Sequence, residues 1–295
     1  MIDVGLVGFG EAAQAFVSGW RADEISRRAL GDVAAFDVKV EDLVSRSSLQ
    51  ECCNDLEVRC AEIPAEALAA RQVVFSLVTA DKALRAATRA APNLSKGALF
   101  LDCNSCSPNT KSKAAAVVEG AGGIYVDVAV MAPVHPARHR TVLLLSGAGA
   151  EEALAIVSKL NMNAKIAGDT VGQASSIKML RSVMIKGFEA LTAECFLAAR
   201  RAGVEAAVLA SLQSSDPGLD WTKRAAYNLE RMMVHGQRRA AEMIEVAATL
   251  RELGLPDRMA TATAEWQRQI GGKGTRSVSD TLEARADAIL GSTLD

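Results

Sequence analysis

The spacing of hydrophobic positions changes character once along this chain. Up to about residue 170, short apolar runs alternate with alanine-rich stretches whose apolar residues recur every three or four positions. The runs at 2–7, 33–36, 57–60, 73–78, 98–102, 124–130 and 142–145 predict strands, and those at 65–70, 82–91, 111–119 and 151–160 predict helices. Such alternation predicts an α/β domain of Rossmann type, with a doubly wound, mostly parallel sheet. After Gly172 only helical periodicity remains, over 172–200, 204–213, 221–253 and 257–270, with Gly203, Asp216-Pro217-Gly218 and Gly254-Leu255-Pro256 as punctuation. The expected organisation is a dinucleotide-binding domain at 1–170 and an all-α domain at 171–295 that opens with a long interdomain helix. The final residues, 291–295, read as a loose end.

That opening helix is the stretch with the most chemistry. At about 100° per residue, Lys178, Arg181, Ser182, Lys186 and Glu189 fall within roughly 140° of one another, and Ser175 joins them. Ile177, Leu180, Val183, Met184, Phe188 and Leu191 take the other side. The reading is a basic stripe backed by an apolar packing face, with too few acidic partners nearby to neutralise the cations.

Composition narrows the function classes. Across 295 residues, 49% are apolar, 4% are aromatic and the formal charge is -2, so no general field favours nucleic acid or an anionic membrane. No apolar run is long enough to suggest a spanning helix. Met1 leads straight into a strand pattern without a basic and then apolar leader, and six cysteines read as free thiols, so a cytoplasmic protein is expected. Cys103 and Cys106 are spaced as CxxC, but without a second pair or a matching histidine they suggest no zinc site.

The first strand runs into Gly8-Phe9-Gly10-Glu11-Ala12-Ala13, a GxGxxA turn. In such turns the first glycine makes the bend, the second lets backbone approach a pyrophosphate, and the small last residue lets helix pack on strand. The second strand ends on Asp37, placed to accept the adenosine ribose hydroxyls and to disfavour a 2'-phosphate, although Lys39 could reach such a phosphate. NAD is therefore expected ahead of NADP. The ends of later strands place Leu77, Val78 and Thr79, and then Asn104 and Ser105, on the rim with the glycine turn.

Together these residues resemble the β-hydroxyacid dehydrogenase superfamily, the group of 3-hydroxyisobutyrate and 6-phosphogluconate dehydrogenases, and the likeness covers nearly the whole chain. Gly8, Gly10 and Ala13 match its dinucleotide turn. Asp102-Cys103-Asn104-Ser105-Cys106-Ser107-Pro108 looks like its second motif in the phosphogluconate version, and Gly172 followed by Lys178 matches its third. The resemblance implies that Lys178 is the catalytic acid/base, and that the helical domain forms a homodimer. Two departures stand out. The family's Asp-Ala-Pro-Val-Ser-Gly-Gly substrate loop is here Asp127-Val128-Ala129-Val130-Met131-Ala132-Pro133, and Ser182 stands where the family has asparagine. The segment from Arg231 to Met243 looks like that of a less-studied phosphogluconate-dehydrogenase-like subgroup.

The expected reaction is hydride transfer between NAD(P) and a 3-hydroxy acid, or the matching aldehyde or keto acid, with decarboxylation where a keto acid is β to a carboxylate. Lys178 is expected to move the proton, Ser182 to orient substrate or amine, and Arg181 with Lys186 to attract a carboxylate. Asn104, Ser105, Met131, Pro133, His135 and His235 complete the expected substrate pocket, in which His135, Arg138, His139 and Arg140 form one cationic cluster and His235, Arg238 and Arg239 another. Glu189 is expected to pair with Lys186 or Arg181. Two other readings remain: an imine reductase on the same scaffold, which a proton-carrying Lys178 disfavours, and a non-catalytic dinucleotide sensor, which would have no need of the basic stripe.

Overall fold

The computed structural model describes residues 1–274 and 279–291. It separates into two compact units, Met1–Met179 and Leu180–Asp295. Gly291 closes the last helix, and 292–295, the rest of the expected loose end, lie outside the described residues.

The first unit runs β1 (Ile2–Val7), α1 (Glu11–Ala22), α2 (Glu24–Ala29), β2 (Leu30–Phe36), α3 (Leu43–Asp55), β3 (Arg59–Cys60), α4 (Pro64–Leu68), β4 (Val73–Ser76), α5 (Ala83–Ala90), β5 (Leu99–Asp102), α6 (Pro108–Gly120), β6 (Ile124–Val130), β7 (Leu143–Ser146), α7 (Ala150–Lys159) and β8 (Ala164–Gly168). These strands form one sheet in the order β3-β2-β1-β4-β5-β6-β7-β8. All neighbours are parallel except β6 and β7. The chain reverses its progress across the sheet between β1 and β4, which opens the crevice where such folds take ligands.

Burial explains the strand patterns: β4 and β5 are covered on both faces and read as unbroken apolar runs. Against the sheet, α1 lays Ala13, Phe16, Val17 and Trp20, and the rings of Phe16, Trp20 and Phe75 meet at centroid separations of 5.5–6.4 Å. Each large side chain so buried contributes roughly 1.5–3 kcal/mol. Between α1 and β2 lies α2, capped by the Asp23 carboxylate on the Ser26 amide at 2.9 Å. That extra helix accounts for the long interval between Gly10 and Asp37.

A long helix, α8 (Gln173–Arg201), spans the division between the units, and α9 (Glu205–Ser215), α10 (Trp221–Glu252), α11 (Arg258–Gly271) and α12 (Leu282–Gly291) complete the second. Phe196, Leu229, Met232, Ile270, Leu282 and Ile289 are among its core residues. The α10–α11 crossing is very close: a Cβ on Gly236 would lie 2.3 Å from the Gln267 carbonyl oxygen and 2.7 Å from Gly271 Cα.

Candidate active site

The glycine turn is built as its sequence requires. Gly8 has φ +88°, and a Cβ there would meet the Leu77 carbonyl oxygen at 2.6 Å and Val78 Cγ1 at 2.8 Å. Around Gly10 a Cβ would meet nothing within 4 Å, and no side chain caps the α1 N-terminus that follows. Open space beside uncapped amides suits an approaching pyrophosphate. Phe9 takes part through its backbone alone, because its side chain is fully buried in the core. Its amide donates to Asp37 Oδ2 at 2.8 Å, while Asp37 Oδ1 accepts from the Lys39 amide at 3.0 Å. The carboxylate is thus fixed at the end of β2, beside the turn. Glu11 is exposed and Ala12 half-buried.

Across the switch point, the Leu77 amide donates to the Val7 carbonyl at 2.8 Å and the Val78 amide to Asn104 Oδ1 at 2.6 Å. The Asn104 amide group donates to Ser76 Oγ at 3.0 Å and Asp102 Oδ1 at 2.7 Å. Both of its hydrogens are therefore committed to the protein, and Asn104 works as a strut between the loops after β4 and β5. Thr79 is exposed and donates its hydroxyl to Asp81. On the same loop, Ser105 Oγ accepts from Lys178 Nζ at 2.5 Å. Gly172 opens the helix behind that lysine with φ +101°, where a Cβ would press on Pro108 at 3.2 Å. The structure therefore brings together the second and third motifs, 73 residues apart.

After β6 the chain loops outward: Met131 is half-buried, while Pro133 and His135 are exposed. His139 departs from the expected cationic cluster. It is buried, and it abuts Gly19 of α1 so closely that a Cβ on Gly19 would lie 2.1 Å from His139 Nδ1. Neither ring nitrogen has a hydrogen-bond partner.

The stripe on α8 requires the largest correction. Ser182, Lys186 and Glu189 are buried, whereas Ile177, Leu180, Met184 and Leu191 of the supposed packing side are 42–74% exposed. Partners distant in sequence reverse the face. Lys186 Nζ pairs with Glu242 Oε2 at 2.7 Å and lies 3.4 Å from Ser182 Oγ. Glu189 pairs with Arg239, through two hydrogen bonds, in place of Lys186 or Arg181. Lys186 is therefore not a free cation awaiting a carboxylate, and Arg239 is a core residue of the helical unit. Arg238 is bonded to Glu242 at 2.8 Å, His235 is half-buried, and Arg181 is exposed.

The cysteines are all free. Burial pushes the Cys103 thiol up to about 12, which removes the nucleophilic thiolate from half of the CxxC pair at neutral pH.

Residues 27–171 match the NAD binding domain of 6-phosphogluconate dehydrogenase, and 199–270 match a domain of unknown function, DUF1932. A conserved hypothetical protein from Sinorhizobium meliloti is 36% identical in a solved structure, with 99% of this chain and 97% of that chain covered and a TM-score of 0.77. A 3-hydroxyisobutyrate dehydrogenase from Pseudomonas aeruginosa is 27% identical over 75% of this chain and 72% of its own length. An uncharacterized 28.5 kDa protein from Methanothermus fervidus is 28% identical over 59% of this chain, and the match spans 66% of that relative's length. The chain belongs to the β-hydroxyacid dehydrogenase superfamily, a family of NAD(P)-dependent oxidoreductases.

Proposed function

We propose that this protein transfers hydride between NAD and a small 3-hydroxy acid, or the matching aldehyde or keto acid, with Lys178 as the acid/base. The observation that carries the reading is the 2.5 Å contact of Lys178 Nζ with Ser105 Oγ. That contact supports reading Lys178 as the amine that serves the strand rim bearing Ser105. A nicotinamide held at the glycine turn would supply the acceptor for the hydride in oxidation and its source in reduction. The neutral Lys178 amine takes the alcohol proton, and the ammonium gives it back in reduction. Ser105 aims that nitrogen. Within the first unit, His135 is the candidate for holding the substrate carboxylate, with Met131 and Pro133 as apolar walls.

The cofactor residues are the Gly8–Ala12 backbone, Asp37 and the Leu77–Thr79 loop. Asp37 supports NAD over NADP, because its carboxylate is held in place by two backbone amides and a 2'-phosphate would meet that fixed negative charge. The test is a panel of 3-hydroxy acids, beginning with 3-hydroxyisobutyrate, assayed by absorbance with NAD and NADP. Turnover should appear with NAD first, and Lys178→Met should lower kcat by about 100-fold or more while NADH fluorescence titration stays unchanged. Turnover that survives Lys178→Met would overturn the acid/base assignment. A protein that binds NADH yet oxidises none of the panel would be read as a sensor.

The exposed apolar residues of α8 support a homodimer that covers them with a second copy. Sedimentation velocity should show the dimer, and Met184→Glu should shift it to monomer. A monomeric wild type would end that reading.

A further inference from the structure

We propose that Lys111, which no part of the catalytic reading uses, is a positioning residue that couples the Ser105 loop to the helix carrying Lys178. The inference rests on the assignment of Lys178 above. Lys111 lies on α6, fully buried among alanines and valine. Its ammonium donates to the Asp102 carbonyl at 2.6 Å and to Asp102 Oδ1 at 3.1 Å, and it lies 3.3 Å from Asp127 Oδ1. Burial opposes that charge, but Asp102 and Asp127 outweigh it and hold Lys111 above the ordinary lysine range. The amine is therefore a permanent cation.

The two carboxylates it joins have different duties. Asp102 ends β5, and its Oδ1 accepts from the Asn104 amide at 2.9 Å and from the Asn104 side chain, while Oδ2 accepts from Tyr125 at 2.6 Å. It sets the loop that presents Ser105. Asp127 lies on β6, and its Oδ2 accepts from the Gly172 amide at 3.1 Å and from the Ser175 amide and hydroxyl at 2.9 and 2.6 Å. Ser146 Oγ donates to the same oxygen at 3.2 Å and accepts from the Ala174 amide at 3.0 Å. An anion is thereby fastened to the first turn of α8, one turn before Lys178, where the helix dipole also favours it. Asp127 Oδ1 has no hydrogen bond, so its charge is met by the ammonium.

One cation thus links the support of the Ser105 loop to the N-terminal anchor of the helix that carries Lys178. Such a link matters because catalytic groups must be held within a fraction of an ångström, and small displacements cost large factors in rate. The clamp should set kcat far more than cofactor affinity.

Three variants test this: Asp127→Asn, which keeps the side-chain shape and an acceptor oxygen, Lys111→Met, and the double variant. The first readout needs no substrate. It is the rate at which trinitrobenzenesulfonate labels Lys178, read by peptide mass spectrometry against Lys39 and Lys165 as internal references, with Ser105→Ala marking the released limit. Asp127→Asn should raise Lys178 labelling at least about fivefold and, with 3-hydroxyisobutyrate and NAD, lower kcat by roughly 10- to 100-fold while KM for NAD stays within about twofold. The double variant should lose no more than the worse single one, since both cut the same link. A lower melting temperature with unchanged Lys178 labelling and unchanged kcat would reduce the clamp to a structural ion pair and overturn the proposal. If wild type oxidises no acid in the panel, the catalytic reading fails by itself, and the labelling rate still decides whether Lys111 holds Lys178. Should Lys111→Met fail to fold, Asp127→Asn alone carries the decision.

Discussion

Both units bury charge, but they use it differently. In the first, Asp102 and Asp127 each accept from main-chain amides as well as from side chains, and Lys111 meets a main-chain carbonyl and the two carboxylates. In the second, Glu189 meets Arg239 and Gln267, and Glu242 meets Lys186, side chain against side chain between helices, while Arg238 braces Glu242 from the same helix. A charge that grips backbone fixes the course of a loop or the start of a helix. A charge that grips another side chain fixes how helices stand against each other. The first arrangement surrounds the candidate chemistry, and the second holds the bundle.

The sharpest break of this contrast is Glu189→Ala. It strands the Arg239 guanidinium and removes the acceptor of Gln267, so unfolding by urea should show a loss of about 3–5 kcal/mol, with NADH binding by the folded protein preserved. Replacing both partners, as Glu189→Met with Arg239→Met, should recover most of that loss, because the pair's desolvation cost disappears with its attraction. A double variant as unstable as the single would mean that the pair contributes much more than geometry. No such recovery of activity is expected at Asp127, whose Oδ2 answers two main-chain amides that a methionine cannot satisfy.

The sheet and the glycine turn were legible because period and turn chemistry are local properties. β1 and β6 coincide with the apolar runs at 2–7 and 124–130, and Gly8 adopts the left-handed conformation that its motif demands. Elements with weak local signals were not visible in advance. α2 has only six residues, β8 is a half-exposed edge strand, and α12 follows a stretch with no apolar period. In the site, the sequence puts Lys178 and Ser105 in one expected pocket without saying that they touch, and helical projection turns the wrong face of α8 inward. Helical projection identifies residues that share a face, but it cannot tell which face turns inward. Glu242 and Arg239, some 50 residues downstream, decide that by satisfying Lys186 and Glu189. Lys111 was read only as the opening of a helix, since nothing within one turn of it announces two carboxylates from neighbouring strands.

His139 offers the smallest and most discriminating test, because it is buried polarity that grips nothing. Burial lowers its pKa, opposed by Asp23 and assisted by Arg140 and Arg138. The folded state therefore keeps the ring neutral at pH values where the unfolded chain already binds a proton. Stability on this account is intact above about pH 6.5, the unfolded value, and falls as pH drops through it toward the lower folded value. The slope from one such group is at most about 1.4 kcal/mol per pH unit. His139→Leu should flatten unfolding free energy between pH 7 and 5.5, and at pH 8 it should cost little, since no hydrogen bond of either ring nitrogen is lost. An acid-side slope that persists in His139→Leu would place the responsible proton elsewhere. A marked loss of stability at pH 8 would mean that the imidazole makes a contact with α1 that leucine cannot replace, and the ring would then belong with the gripping groups of the first unit.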